Sequence, residues 1–333
     1  MPNSVTGLLF VPIRTCQIGK FCRLHGIAMV TYASGWTHRV LQKLQPKENM
    51  NIKSYERITE RIVSLLEQGT VPWHKPWKVS TGLPRNLVTK KPYRGINPFL
   101  LMSMGYESPH WLTFRQALQL GGSVKKGEKA CPVVFWKPME VTDRVSNQEV
   151  KIPLLRLYSV FNVAQCEGLK SMPAEDTSSF AVTEAAEIAA NMPQPPHIKH
   201  GMSHAYYSPV NDIVGMPERK RFNTEHSYHA TLFHELVHST GHENRLKRQS
   251  ITERNGFGTD PYCKEELIAE LGSAFLCGEA GIAEWTIDNS AAYLESWLKR
   301  LKEDKTLIVY AAAQAQKAAD YILGRTMESE AAG

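Results

Sequence analysis

The stretch LFHELVHSTG, residues 232–241, decides how this chain is interpreted. His234 and His238 stand four residues apart, which on an α-helix is roughly 400° of rotation and a rise of about 6 Å. Both imidazoles therefore face the same side of a helix and can reach a single metal ion. The apolar residues around them predict that this helix is buried, and Gly241 predicts where it ends.

Zn²⁺, or another divalent ion, is the expected cofactor of this helix. Zinc accepts histidine nitrogen at about 2.0–2.1 Å, and a catalytic zinc site leaves one position open for water. Glu235 is the predicted catalytic base, since its carboxylate lies beside the first histidine and can take a proton from that water. A short pattern of this kind also occurs by chance in ordinary helices, but the apolar flanks and the glycine stop favour the metal site.

Catalytic zinc usually has three protein ligands, so a third ligand must be found. One known arrangement places a third histidine three residues after a glycine that follows the helix. Gly241 fits that glycine, but Asn244 stands at the histidine position, which excludes this arrangement. His242 is predicted to line the cleft or the surface rather than to bind the metal.

The alternative is a carboxylate on a second helix, and residues 265–270, EELIAE, combine acids with a helical apolar face. This stretch resembles the gluzincin pattern, in which a ligand glutamate precedes another acid by four residues. The resemblance implies that Glu266 is the third ligand and that Glu270 accepts a hydrogen bond from an imidazole N–H. Glu265 would then face solvent. An ordinary charged helix face remains the alternative interpretation of all three acids.

Length, composition and cysteine content restrict the class of protein. A chain of 333 residues with 42% apolar residues suggests about two domains. Its six cysteines form no C-x-x-C pair, so neither a zinc finger nor a disulfide framework is indicated, and a cytoplasmic location is expected. No apolar run approaches the roughly 18–20 residues that would cross a bilayer, so no membrane association is expected.

Two regions of opposite charge follow each other along the chain. Residues 50–140 contain 14 basic and six acidic residues, a net charge of +8, whereas residues 141–333 carry a net charge of −7. Residues 1–49 carry +5 but show no sustained periodicity. We interpret them as a disordered or non-native extension, although their shortage of acids also resembles a transit peptide. The basic region is the part expected to bind a polyanion.

Cations and aromatic residues alternate in this basic region, a composition that suits single-stranded DNA. Cations follow phosphates, while flat rings stack on unpaired bases. No helix or finger for reading a duplex is evident. The predicted DNA-binding residues are Trp73, Lys75, Trp77, Lys78, Lys90, Lys91, Tyr93, Arg94, Lys125, Lys126 and Lys129. Core packing is the alternative fate of each aromatic residue.

The periodicity predicts an α+β protein with two domains. Residues 50–165 are expected to form an α+β domain, beginning with a helix from Tyr55 to Gln68 and ending in two strands, Cys131 to Trp136 and Leu154 to Val163. Polar residues 166–180 read as a linker. Residues 181–333 are expected to form a mostly helical domain with a small β-sheet.

Several stretches resemble the ArdC-type antirestriction family. VPW (71–73), YRGIN (93–97) and KKGE (125–128) are similar to its N-terminal single-stranded-DNA-binding domain, which also occurs in the conjugative primase TraC. AYYS (205–208), HELVHSTGH (234–242) and EELIAELG (265–272) resemble the zincin-like domain of the same family. The resemblance implies a mobile-element protein that coats incoming single-stranded DNA and shields it from restriction. The basic front half excludes the different strategy of acidic DNA mimicry.

Three functions remain open at this level. The first is a single-stranded-DNA binder fused to a zinc peptidase that cleaves a host protein. The second is a DNA-binding protective protein whose metal domain is structural or inert. The third is a protease whose basic half binds an acidic protein.

Overall fold

The structure, a computed structural model, describes residues 37–73, 83–142, 149–169, 182–253, 260–282 and 290–325. The chain divides into two compact units, Met1–Gln45 and Pro46–Gly333. In the first unit only the beginning of helix α1 is described, and the predicted extension up to residue 36 lies outside the described residues. The second unit contains the described residues from Pro46 onward.

The N-terminal part of this unit is an α+β domain, as predicted. Its helices are α1 (Thr37–Glu67), α2 (Asn97–Met102) and α3 (Phe114–Gln119). Its strands are β1 (Arg85–Asn86), β2 (His110–Thr113), β3 (Ser123–Val124), β4 (Cys131–Thr142), β5 (Glu149–Asn162) and β6 (Cys166–Glu167). One sheet has the order β1-β2-β5-β4, and β3 pairs with β6.

Local chemistry explains where the sequence prediction held and where it did not. The three-residue spacing of Thr113 and Gln116 in the sequence is that of a capping box, and α3 has this cap: the Thr113 hydroxyl accepts from the Gln116 amide and the Gln116 side chain accepts from the Thr113 amide. Helix α1 starts at Thr37, inside the segment that was expected to be unstructured. Strands β4 and β5 extend beyond the predicted strands as far as the pair of Thr142 and Glu149, because strand pairing is made by backbone groups and does not require apolar alternation.

The predicted linker begins too early. Cys166 pairs with Val124 and Glu167 with Ser123, and the Cys166 side chain is buried. A two-residue strand of this kind has no periodicity by which a sequence could reveal it. Residues 170–181 of the predicted linker lie outside the described residues.

The C-terminal part is mostly helical with a small sheet, as predicted. Its helices are α4 (Val182–Ala190), α5 (Glu225–Thr240), α6 (Gln249–Thr252), α7 (Asp260–Glu279), α8 (Ser290–Glu303) and α9 (Leu307–Ile322). Its strands are β7 (His197–His200), β8 (Tyr206–Ser208) and β9 (Ile213–Met216), in the order β7-β9-β8. None of the helices among the described residues is long and apolar enough to span a membrane.

The two parts share one hydrophobic core. The ring of Trp73 lies 6.3 Å from that of Phe99 in the N-terminal part and 5.9 Å from that of Trp297 on α8. Phe99 also contacts Phe275 on α7, with ring centres 4.9 Å apart. The prediction that Trp73 binds DNA is therefore wrong, because its side chain is fully buried and could not reach a base without opening the core.

Helices α5 and α7 pack against each other, and a glycine permits their close approach. A Cβ atom placed on Gly272 of α7 would lie 2.8 Å from both methyl groups of Val237 on α5. A buried hydrogen bond from Ser273 Oγ to the carbonyl of Ala230 joins the same two helices at 2.9 Å. This contact determines how far the acids of α7 lie from the histidines of α5.

Candidate metal centre

Helix α5 presents both histidines toward α7. It is capped at Thr224, whose hydroxyl accepts from the Ser227 amide, and it ends at Thr240 before Gly241, where the sequence predicted its end. The Nε2 atoms of His234 and His238 lie 3.1 Å apart, with their ring planes nearly perpendicular. The four-residue spacing has thus brought two ligand nitrogens to one point.

Glu266 on α7 completes a group of three possible ligands. Its carboxylate oxygens lie 3.5 Å from His234 Nε2 and 3.6 Å from His238 Nε2. Two ligands bonded at 2.0–2.1 Å to a tetrahedral ion are about 3.3 Å apart, close to the separations of these three donor atoms. Among the described residues, His234, His238 and Glu266 are the group whose chemistry and spacing could hold a metal ion.

Glu265 does not face solvent, so that prediction is wrong. Its side chain is buried, and its Oε1 lies 3.3 Å from His238 Nδ1, the ring nitrogen directed away from the group of ligands. A hydrogen bond at this nitrogen makes Nε2 the one that offers a lone pair to a metal. The sequence resemblance gave the role of imidazole acceptor to Glu270, whereas on His238 it is filled by Glu265.

Glu270 is also buried, and its charge acts on the other histidine. Burial by itself lowers the pKa of His234, but the hydrogen bond that its ring donates to Glu266 and the charges of Glu235 and Glu270 outweigh the effect of burial and raise that pKa to about 9. The cluster of acids thus favours positive charge at this position. A hydrogen bond from an imidazole N–H to Glu270 stays a prediction.

Glu235 is nearly buried beside the two histidines. Burial raises the pKa of its carboxyl, and the charges of His234 and His238 act in the opposite direction. A carboxyl whose pKa is raised holds a proton more readily, which suits a group that accepts and releases protons. The environment of Glu235 therefore agrees with the predicted role of catalytic base.

The residue that the sequence interpretation missed is Arg248. Its guanidinium binds Glu265 with two hydrogen bonds, from Nε to Oε2 at 3.0 Å and from Nη2 to Oε1 at 2.5 Å. It also donates to the carbonyl of Val237 and to the hydroxyl of Thr240, the last residues of α5. Arg248 thus caps the metal-site helix and holds Glu265 against His238.

No sequence signal marks Arg248, because it stands ten residues after His238 in a turn without periodicity. Its approach depends on Gly241, where a Cβ would lie 3.0 Å from the Arg248 guanidinium and 2.6 Å from Ile251. Gly241 therefore not only ends helix α5 but also leaves space for the Arg248 side chain at the C-terminus of this helix.

The charges of the site predict how the metal-free protein responds to acid. The pKa values of Glu265 and Glu266 are lowered to about 2, because the charges and hydrogen bonds of Arg248, His234 and His238 outweigh the effect of burial. These carboxylates stabilise the fold above the unfolded-state pKa near 4.5, and that stabilisation is lost as the pH falls towards 2. We expect a loss of up to about 3 kcal/mol for each carboxylate.

Urea unfolding between pH 3 and 6 in the presence of a chelator would measure this loss. Glu265→Gln should show a shallower dependence on pH than the wild type, whereas substitution of the exposed Glu295 of α8 by Gln should leave the dependence unchanged. Equal pH dependence of Glu265→Gln and the wild type would contradict the assignment.

The predicted DNA-binding residues have different environments. Lys90, Lys91, Lys125, Lys126 and Lys129 are exposed, in agreement with a role at the surface. Tyr93 is only 5% exposed, so its ring is not available for stacking in this conformation. The side chain of Arg94 is partly exposed and forms an ion pair with Asp320 on α9. Lys75, Trp77 and Lys78 lie outside the described residues.

Comparison with known proteins gives both parts a family. Residues 52–161 match the family described as the N-terminal domain of anti-restriction factor ArdC, and residues 184–314 match the zincin-like metallopeptidases. The metal-free crystal structure of antirestriction ArdC protein from plasmid R388 is 38% identical, with a TM-score of 0.66. The match covers 80% of the present chain and 96% of that chain. The chain belongs to the ArdC family.

Other relatives extend the ArdC comparison. The Mn(II)-bound structure of the R388 ArdC protein is 37% identical over 81% of the present chain, again with a TM-score of 0.66. Protein y4eC of Sinorhizobium fredii is 34% identical, and the match covers 83% of the present chain and 93% of y4eC. DNA primase TraC of Escherichia coli is 35% identical over 290 residues, 81% of the present chain. The chain spans about a quarter of TraC, 27% of its length, and a fifth of a second TraC, so it corresponds to one part of those primases.

Proposed function

We propose that the chain is an antirestriction protein that binds single-stranded DNA and carries a metal-dependent peptidase centre. The observation that carries the peptidase proposal is the group of His234, His238 and Glu266, whose donor atoms lie 3.1–3.6 Å apart beside the carboxyl of Glu235. Residues that bind a metal without acting as catalysts do not need a carboxyl with a raised pKa next to them.

The residues of the site have separate tasks in this proposal. His234, His238 and Glu266 would hold the ion through two nitrogens and one oxygen, a donor set that suits Zn²⁺ and also admits other divalent ions. The bound ion would supply a Lewis acid that polarises a carbonyl and lowers the pKa of water. Glu235 would accept the proton of the attacking water and return it to the leaving nitrogen. Glu265 keeps the His238 ring in the required orientation.

A metal ion other than zinc is compatible with the same residues. An ArdC relative has been crystallised with Mn(II), and carboxylate and imidazole ligands both accept manganese. Isothermal titration with Zn²⁺ and Mn²⁺, followed by assays with each metal, would identify the ion that supports activity.

Glu235→Gln tests the peptidase proposal. We expect this variant to bind metal like the wild type and to lose hydrolysis of an unstructured protein such as casein by about 10²- to 10⁴-fold, because general base catalysis is removed while the ligands stay in place. The measurement is the rate of peptide release with the metal bound, and exposed Glu295→Gln is the control. Equal hydrolysis by Glu235→Gln and the wild type would contradict a catalytic role of Glu235.

Single-stranded DNA binding is proposed on a different observation. Exposed lysines 90, 91, 125, 126 and 129 lie in the part of the chain with a net charge of +8. The ArdC family and the primase relatives also point to DNA as the partner. Fluorescence anisotropy with single- and double-stranded oligonucleotides should show a single-strand preference that weakens with salt. Absence of binding at low salt would contradict this part of the proposal.

The two parts can be separated in a cell that restricts unmodified DNA. If the peptidase is required for protection, Glu235→Gln should fail to raise the survival of incoming plasmid DNA. If protection by Glu235→Gln equals that of the wild type, coating of DNA is the mechanism, and the metal domain acts as a structural element. A preference for acidic proteins over DNA in the binding assay would instead favour a protease with a basic docking region.

A further inference from the structure

Aromatic side chains are exposed where the hairpin of β4 and β5 leaves the core. Val133 and Val134 of β4 are buried, but the next two residues, Phe135 and Trp136, are 45% and 50% exposed. On β5, Tyr158 is 41% exposed. The ladder continues beyond them as far as the pair of Thr142 and Glu149. Large aromatic side chains exposed together on a surface commonly mark a binding site.

Two of these rings share one face of the hairpin with a cation. Opposed residues of an antiparallel ladder point to the same face, and Phe135 is opposite Arg156 while Val133 is opposite Tyr158. The ring centres of Phe135 and Tyr158 lie 5.6 Å apart with an interplanar angle of 76°. The Arg156 side chain is exposed. We call Phe135, Arg156 and Tyr158 the hairpin platform.

Neighbouring side chains restrain the platform. The nearly buried ring of Tyr93 lies 6.1 Å from the ring of Phe135, which also contacts Tyr158. The side chain of Asn97 fixes the strand just before the platform, since it donates to the carbonyl of Val134 at 2.8 Å and accepts from its amide at 2.7 Å. Phe135 is therefore restrained although almost half of its surface is exposed, and a restrained ring loses little entropy when a ligand stacks on it.

The chemistry of the platform fits unpaired nucleotides. Bases stack on exposed flat rings, and a neighbouring guanidinium can bind a phosphate. The surrounding N-terminal part is basic, so it attracts a polyanion and repels a basic peptide. Trp73 and Tyr93, the rings expected to stack from the sequence, are buried, whereas Phe135 and Tyr158 are exposed on one face of the hairpin beside Arg156.

We propose that Phe135 and Tyr158 stack on bases of single-stranded DNA while Arg156 binds the phosphate between them. This inference rests on the single-stranded-DNA binding proposed above and assigns it to a specific surface. Tyr93 restrains Phe135 and does not itself contact DNA.

The test combines altered rings with a ligand that lacks bases. The Phe135→Leu/Tyr158→Leu double variant keeps apolar side chains in the hairpin but removes the rings. Phe114→Leu is the matched control, because Phe114 is 52% exposed in the same part of the chain but lies on α3. The ligands are a labelled oligothymidylate and an oligomer of the same length with abasic sugars. Thermal unfolding of each variant verifies that the hairpin still folds.

Wild type should bind the oligothymidylate more tightly than the abasic oligomer. The double variant should lose roughly 5- to 150-fold in Kd for each stacked base, the factor equivalent to about 1–3 kcal/mol, and only on the oligothymidylate. Its affinity for the abasic oligomer should equal that of the wild type. Arg156→Gln should weaken binding of both ligands and reduce the dependence of log K on log salt by about one unit.

The experiment distinguishes a wrong assignment of the hairpin platform from an absence of single-stranded-DNA binding. If the wild type binds single strands and the double variant binds the oligothymidylate equally well, the platform is wrong while DNA binding stands. If the double variant loses affinity equally for both ligands, its rings do not stack on bases, and the inference is also overturned. If the wild type binds neither ligand at low salt, the proposed DNA binding fails and the platform with it.

Discussion

Replacing Glu266 with alanine is expected to reduce affinity for the divalent ion by more than about 100-fold. The carboxylate oxygens of Glu266 lie 3.5 and 3.6 Å from the two histidine nitrogens, so the substitution removes one of three protein ligands. Loss of a supporting residue around a metal commonly lowers affinity about 10- to 100-fold, and loss of a ligand should exceed that range. Metal content after dialysis and isothermal titration would measure the effect.

Neighbouring acids provide the controls for this experiment. Glu265→Gln should keep more metal affinity than Glu266→Ala, because glutamine can still accept a hydrogen bond from His238 Nδ1. Glu270→Gln changes a buried charge that acts on His234 and tests whether charge alone accounts for the loss. If Glu266→Ala keeps the metal while Glu270→Gln loses it, the third ligand is Glu270 and our assignment is wrong.

Arg248→Met is expected to have the largest effect on stability, about 3–5 kcal/mol. Arg248 and Glu265 are both buried, and their two hydrogen bonds join the end of α5 to α7. Without the guanidinium, the carboxylate of Glu265 stays in the interior without its cation, and breaking a buried pair on one side typically costs this much. The loss can be measured by urea unfolding of the metal-free protein.

The same variant tests whether Arg248 positions a ligand. Without Arg248, Glu265 is free to turn away from His238 Nδ1, so affinity for the metal should fall about 10- to 100-fold. The visible spectrum of a Co²⁺-loaded sample would report a change in ligand geometry independently of activity. If the affinity and the spectrum of Arg248→Met equal those of the wild type, Arg248 stabilises the fold but does not position the ligand.

Two further variants separate charge from packing. In the double variant Arg248→Met/Glu265→Gln the buried charge is absent, so it should be more stable than Arg248→Met alone. Together with Glu265→Gln alone, it completes a double-mutant cycle that measures the coupling of Arg248 and Glu265. Arg325→Met is the matched control, since Arg325 also makes two hydrogen bonds to one acid, Glu279, but on the surface. An exposed pair of this kind should contribute about 0–1 kcal/mol.

The N-terminal and C-terminal parts are joined by contacts in the interior of the protein. Trp73 is packed between Phe99 and Trp297, and Arg94 is paired with Asp320, so the N-terminal and zincin-like parts share buried contacts. Domains joined through one core do not move independently. Truncating the chain between the two parts would expose apolar surface of both parts. The full chain is therefore the suitable protein for these experiments.

The sequence by itself determined the elements whose cause is local. The four-residue spacing of His234 and His238 is a property of any helix, and Gly241 and the capping box at Thr113 act within one turn. The opposite net charges of residues 50–140 and 141–333 likewise need no structure, since they follow from composition. For these features the residues that form the interaction are neighbours in the sequence.

Only the tertiary structure decided which partners meet across the chain. Glu265 and Glu266 are adjacent on α7, and the packing of Gly272 against Val237 places Glu266 among the ligand nitrogens and Glu265 behind His238. The same holds for aromatic residues. Trp73 and Phe135 both belong to the basic, aromatic region of the sequence, but Trp73 is buried and Phe135 is exposed. Burial depends on which distant elements pack over a side chain, and this packing cannot be predicted from residue type or local periodicity.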